Sequence, residues 1–372
     1  MIKIELKNAA AIEDWYAGEV MPIIKDKIRL YGASFGNADA RHIVRKLDDD
    51  ALRALLTMKI TDLVNEYSWV KEYYEVAFFV CEFSDLHEYL KKYAGNRIID
   101  RVKKCKYPDC SDPDAEICKS KKNMKDFIKC VSDEIDKINA DLSKIINYDF
   151  LDKKSGSGKK GGKSIRAEYV KRLGIRVCPY CNQQFIYHFG DGRYLGDLDH
   201  IRPKSKFALF SMSMYNLVPA CKPCNQLFKR SSTKQILNPY EEGFGDDAYL
   251  HLNYKSVREM AGIDPVSDMK WCVNRKLKRY SDRQKNKVLC HNMENAIGLF
   301  ELDAVYKGHS DEIQLALKRR YDYDPRYRKC VTKLTGISGL MDPRILYGVS
   351  FDEKKYQNEL MAKAINDVVR GN

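Results

Sequence analysis

Two C-x-x-C pairs, Cys178/Cys181 and Cys221/Cys224, bracket the dipeptide Asp199-His200 in a chain of 372 residues. Four thiolates complete a tetrahedral zinc ion, and a site closed in this way serves structure, because no position is left for water or substrate. Paired C-x-x-C motifs usually stand about 15–20 residues apart. Here Cys181 and Cys221 are 40 positions apart, so a folded insert lies between the knuckles, and it carries the reactive residues. His200 suits the removal of a proton from water at neutral pH. Asp199 offers hard oxygen ligands for a divalent cation. On a strand these neighbours point to opposite faces, so a metal and a water can be addressed from two sides. Asn225 opens an expected helix and offers a second ligand oxygen. Cys221, Asn225 and Lys229 fall at i, i+4 and i+8, on one helix face, with Lys229 as a phosphate-contacting cation. Activated water, a hard cation and positive charge together suit phosphodiester hydrolysis. Asp197 shares the strand face of Asp199 and reads as a solvated hairpin residue or an extra ligand. His188 reads as surface.

The order CPYC, GDLDHIRPKSK, YNLVPACKPCN and a downstream lysine resembles the HNH (His-Asn-His) endonucleases, in the branch with a four-cysteine zinc site. The resemblance covers about residues 166–240. It implies a ββα-metal core in which His200 is the general base and Asp199 and Asn225 are the catalytic-metal ligands. Asn216 corresponds to the middle asparagine that holds the loop and orients the base, and Cys178, Cys181, Cys221 and Cys224 correspond to the structural zinc set. Asparagine at 225, where the motif name has histidine, tilts the catalytic metal toward Mg²⁺ or Mn²⁺, since an amide oxygen is harder than imidazole. The resemblance further implies DNA as substrate, a role in bacterial restriction or anti-phage defence, and an ATPase or sensor protein as partner. A catalytically silent zinc module that binds nucleic acid is the rival reading, and an HNH-type RNase is a third.

The rest of the chain must position this segment, and the expected class is α+β, a ββα-metal core flanked by mainly helical segments. A net charge of +13 and a pI near 9.0 point to an anionic polymer as partner. No run is apolar enough to span a membrane, the start lacks the pattern of a signal peptide, and twelve cysteines without a disulfide framework suit a reducing cytoplasm. Residues 1–151 read as a mainly helical N-terminal domain for binding a partner or DNA, opened by a short strand in MIKIELK. Leu52, Leu55, Leu56, Ile60 and Leu63 keep helical spacing behind Asp48-Asp49-Asp50. The apolar run 75–83 is helix or strand. Cys105, Cys110, Cys118 and Cys130 match no common zinc spacing, and a second metal site there stays open. A stripe from Phe127 to Ile145 marks a helix.

Residues 152–165 form a Gly/Ser/Lys linker that lacks the glycine register of a P-loop. From Lys153 to Arg176 there are nine basic residues against Glu168 alone. Lys159, Lys160, Lys163 and Arg166, with Lys204, Lys206 and Lys229, are the candidate nucleic-acid contacts. Residues 241–372 read as mainly helical. Within them, 274–287 holds seven Lys/Arg against Asp282 and leads into a helix through Val288 to Phe300. A further helix is expected over 308–322.

Overall fold

The computed structural model describes residues 1–81, 95–99, 121–152, 164–189 and 193–371. Lys159, Lys160 and Lys163, and Cys105, Cys110 and Cys118, lie outside these residues. Among the described residues the fold is mixed, mainly helical with two antiparallel two-stranded sheets. Its N-terminal part is a helical layer: α1 (Ala9–Tyr31), α2 (Ala38–Arg45), α3 (Asp49–Thr57), α4 (Ile60–Glu66), α5 (Ser68–Cys81) and α6 (Lys121–Leu142). Asp48 caps α3 by accepting from the Ala51 N–H at 2.8 Å, as its sequence suggests. The expected single helix is split, because Met58 turns extended and α4 restarts at Ile60. Leu52, Leu55, Leu56, Ile60 and Leu63 are nonetheless all buried. The undecided run after residue 75 is helical as far as Cys81. MIKIELK forms no strand; Ile2 and Ile4 donate singly to the carbonyls of Pro179 and Pro239.

The short helix α7 (Ile165–Leu173) is capped by Ser164 and ended by Gly174 at φ +64°, a left-handed turn that glycine adopts without strain. It leads into the first sheet, where β1 (Asp197–His200) pairs antiparallel with β2 (Leu217–Ala220), Asp199 opposite Val218. Gly196 lets β1 start this close to its partner, since a Cβ there would lie 2.7 Å from the Ala220 carbonyl oxygen. After β2 the chain turns at Cys221 into a helix, Pro223–Lys229. The Arg230 N–H bonds the Asn225 carbonyl, an i→i−5 bond, so this is a π-helix. The second sheet joins β3 (Ala248–Asn253) to β4 (Asp268–Val273). The helices α8 (Arg283–Leu299), α9 (Leu302–Lys307), α10 (Ser310–Asp322), α11 (Pro325–Thr335) and α12 (Ala362–Arg370) follow; α8, α9 and α12 pack on this sheet, and α10 packs on α12.

One hydrophobic core runs through these segments except α11, which buries no residue, and its members lie on both sides of the sequence boundary at 152–165. The N-terminal helices cradle the loop between β1 and β2. Tyr16 of α1 and Tyr169 of α7 donate to the carbonyls of Met212 and Met214, each at 2.8 Å. Tyr73 of α5 accepts from the Leu209 N–H, and Asn139 of α6 donates to the Lys206 carbonyl at 3.0 Å. The three tyrosine bonds are buried, so each orphaned partner would cost about 1–3 kcal/mol. The expected stripe on α6 supplies the floor, with Val131, Ile135, Ile138 and Leu142 fully buried. No described helix is long and apolar enough to cross a membrane.

Candidate metal centre and active site

The first knuckle is a tight turn. Cys178 N–H bonds the Gln184 carbonyl, and Asn182 N–H bonds the Cys178 carbonyl. Asn182 sits at φ +55°, a conformation asparagine tolerates, and its amide donates to the carbonyls of Tyr356 and Glu359 at 3.1 Å. The second knuckle leads from β2 into the π-helix. The four sulfurs of Cys178, Cys181, Cys221 and Cys224 are buried and lie within 4.8 Å of one another. A tetrahedral ion with bonds of about 2.3 Å needs sulfurs about 3.8 Å apart, and Cys181 and Cys221 stand at 3.9 Å. At Cys178 burial works upward, but hydrogen bonds from Cys181, Cys221 and Cys224 outweigh it and hold the thiol well below its ordinary range. Contacts within the same cluster push Cys181 and Cys224 well above it. The donor set fits a metal such as zinc, whose charge allows all four to ionise.

Asp199 and His200 leave β1 on opposite sides. The Asp199 carboxylate is buried, accepting from Tyr180 Oη at 2.5 Å and from Lys229 Nζ at 3.0 Å. Lys229 also donates to the His200 carbonyl at 2.6 Å. Only 2% of the Lys229 side chain and 3% of that of Asp199 are exposed. Two expectations change here. Lys229 is not placed to contact a phosphate, because its ammonium is enclosed as the counter-charge of a buried carboxylate. Asp199 is not placed beside Asn225 as an open metal ligand, because each of its oxygens already has a buried donor. Asn225 instead meets Asp197: its Nδ2 donates to Asp197 Oδ2 at 3.0 Å, joined by Gln226 at 2.8 Å. Asp197 and Asn225 are half-buried, so the hairpin carboxylate, not Asp199, shares the accessible side with Asn225.

His200 faces the loop. Its Nε2 lies 3.0 Å from the Ser211 carbonyl oxygen. A carbonyl only accepts, so the neutral ring carries its proton on Nε2 and keeps the Nδ1 lone pair. Ser211 is itself held by its hydroxyl, which donates to the Ile146 carbonyl at 3.0 Å. Asn216 is fully buried and closes the loop. Its Oδ1 accepts from Arg202 N–H at 2.7 Å, while its Nδ2 donates to the carbonyls of Arg202 and Phe210 at 3.1 and 3.0 Å. All three bonds cross the loop that holds the His200 ring.

Burial lowers the His200 pKa to about 4, against the Ser211 carbonyl, which raises it; the charges of Lys204, Lys229 and Arg166 lower it further. The ring is therefore neutral at pH 7. Tyr148 stands edge-on to it, with ring centres 4.7 Å apart. Arg166 lies over Tyr148 at 4.3 Å and Lys204 at 5.3 Å, so this tyrosine gathers two expected phosphate contacts around the histidine. Lys206 is drawn aside to Asp136 at 2.9 Å. Sequence reasoning did not find Tyr148 or Tyr180: Tyr148 stands in no motif, and Tyr180 fills a position that the C-x-x-C pattern of CPYC leaves unspecified. Among the described residues the cysteine cluster is the one group of three or more His, Cys, Asp or Glu side chains arranged to hold a metal. Comparison with protein-family models, curated proteins and solved structures returned no match.

Proposed function

We propose that this protein is a metal-dependent endonuclease of the HNH type that hydrolyses DNA phosphodiester bonds. One observation supports the reading above others. The His200 ring is fixed through one nitrogen to the Ser211 carbonyl and keeps a lone pair on the other, at the end of a strand that packs on the cysteine-anchored helix. In this reading Nδ1 takes a proton from water as the oxygen attacks phosphorus in line, and the P–O3′ bond breaks to leave 5′-phosphate and 3′-hydroxyl ends. The negative phosphate offsets the three cations that depress His200, which brings the base closer to the range in which proton transfer is efficient. Arg166 and Lys204 contact the phosphate. Asn225 with Asp197 offers hard oxygens suited to Mg²⁺ or Mn²⁺, and a cation held there would supply positive charge to the scissile phosphate and the leaving oxygen. Asp199 acts through Lys229 and holds the π-helix to β1. The role in restriction or anti-phage defence, with an ATPase or sensor as partner, rests on the resemblance alone.

The test is incubation of supercoiled plasmid with and without Mg²⁺, comparing wild type with His200→Ala. Loss of a general base lowers the rate by about 10²–10⁴-fold. Equal rates for the two proteins would sink the assignment and favour a silent nucleic-acid-binding zinc module.

A further inference from the structure

The second basic cluster of the sequence is folded into a built cavity far along the chain from His200. The strap from Arg275 to Ser281 and the first turns of α8 line an open cavity of about 870 Å³. Two anchors fix the strap. Asn286 is buried and clasps Tyr280, accepting from its N–H at 2.9 Å and donating to its carbonyl at 2.7 Å. Arg279 donates to Glu242, to Asp247 at 2.8 Å and to the carbonyls of Gly243 and Phe244. Arg279 is thus consumed as a bolt, and the other cations line the cavity: Arg275, Lys276, Lys278, Arg283 and Lys287 against Glu294 alone. Glu294 is taken by Arg275 at 3.4 Å. The remaining four form no ion pair among the described residues. Like charges gathered on a fixed wall repel one another, and an anion relieves that repulsion.

We propose that this cavity is a second nucleic-acid site, binding the phosphate backbone of the strand that His200 cleaves; the inference rests on the nuclease reading above. A single phosphate would need one or two of these cations. Arg283 and Lys287 alone span about 6 Å of helix axis, close to two phosphate steps of one strand projected on the duplex axis, at about 3.4 Å each. The same helix reaches the catalytic loop. Asn295 donates to the Gln235 carbonyl at 2.8 Å, and the Gln235 side chain accepts from Arg202, whose backbone is gripped by Asn216. Lys287 and Asn295 are separated by about 12 Å along α8, within the reach of a few nucleotides. Backbone contacts of this kind position a strand without reading its sequence.

The experiment is an anisotropy titration of a labelled DNA duplex at several salt concentrations, without Mg²⁺. It compares wild type, the triple variant Lys276→Gln/Lys278→Gln/Lys287→Gln, and the same positions changed to Arg. These side chains are exposed, so folding is not at stake. Each lost phosphate contact removes about 0.9 from the slope of log affinity against log salt. The expected result is a slope shallower by about 2–3 in the Gln variant, wild-type behaviour in the Arg variant, and unchanged cleavage by all three at saturating DNA. Wild-type slopes in the Gln variant would overturn the site. So would loss in both variants, or protection from unfolding by inorganic tripolyphosphate that the Gln variant alone loses while DNA binding stays the same. A wild-type protein that does not bind the duplex would instead overturn the nuclease reading.

Discussion

Removing Lys229 tests the central rearrangement of the site. Its ammonium is 3.0 Å from Asp199 Oδ1 and 2.6 Å from the His200 carbonyl, and both partners of the ion pair are almost wholly enclosed. Lys229→Met keeps most of the volume and removes the charge. The carboxylate is then buried with only Tyr180 as donor, and breaking such a pair costs about 3–5 kcal/mol. Unfolding entropy is about 2 cal/mol/K per residue, so for 372 residues the melting temperature should fall by about 4–6 °C. Asp199→Asn should cost a similar amount, because it strands the ammonium. The double variant leaves no buried charge, and the amide oxygen still accepts from Tyr180, so it should be more stable than the sum of the single changes implies. The coupling should be about 1–3 kcal/mol, read by chemical denaturation of all four proteins. Additive losses, or single changes costing under about 1 kcal/mol, would show that the pair is solvent-screened and that Lys229 remains available to a phosphate.

Other outcomes follow from the same geometry. Purified protein should hold about one zinc per chain by elemental analysis, and Cys221→Ser should lower both zinc content and stability, since metal binding at such a site is folding energy; active protein without zinc would refute this. The His200 pKa is lowered to about 4 from 6.5, so between these values the unfolded chain binds the extra proton. Stability is then present above pH 6.5 and is lost as the pH falls toward 4, by at most about 3 kcal/mol and less for a half-buried ring. His200→Ala should flatten that limb of the stability curve, and identical limbs would refute the shift. Asp197→Asn should raise the Mg²⁺ concentration needed for half-maximal cleavage more than Asp199→Asn does; the reverse order would return the ligand role to Asp199. Replacing Lys159, Lys160 and Lys163 with Gln should make the salt slope of DNA binding shallower at every sequence alike, and unchanged slopes would leave the linker a tether.

The sequence reading succeeds where local chemistry decides. Four cysteines at knuckle spacing do come together, because each turn is fixed within a few residues and the sulfurs then need only meet. The strand period also holds: Asp199 and His200 diverge, as a pleat requires. Asp48 caps a helix where its side chain indicates. What the sequence hides is tertiary. Lysine is among the least buried residue types, so nothing local announces that Lys229 lies inside. Tyr148 belongs to another element, and Tyr180, although inside the first knuckle, meets Asp199 only through folding. The π-helix is equally hidden, since its i→i−5 bond depends on how Pro223–Lys229 seats between the cysteine cluster and β1.

That helix explains how two identical side chains acquire different tasks. Asp197 and Asp199 are two apart on β1 and face the same way, so each meets the helix one step further along. The helix answers with Asn225 and Lys229, four apart. Nearer the loop, the chain closes over the second contact, and a buried carboxylate there requires a cation and a hydroxyl donor, which Lys229 and Tyr180 supply. Nearer the helix start, Asn225 and Asp197 stay half-buried beside the exposed Gln226, where an amide oxygen and a carboxylate oxygen remain within reach of solvent. One contact therefore fixes the angle between helix and strand, and the other depends on that angle. The same division governs His200. Its carbonyl is tied to Lys229 and its ring to Ser211, so backbone and side chain are both set, and a small movement of the π-helix would be felt at the His200 ring and at Asp197 and Asn225 together.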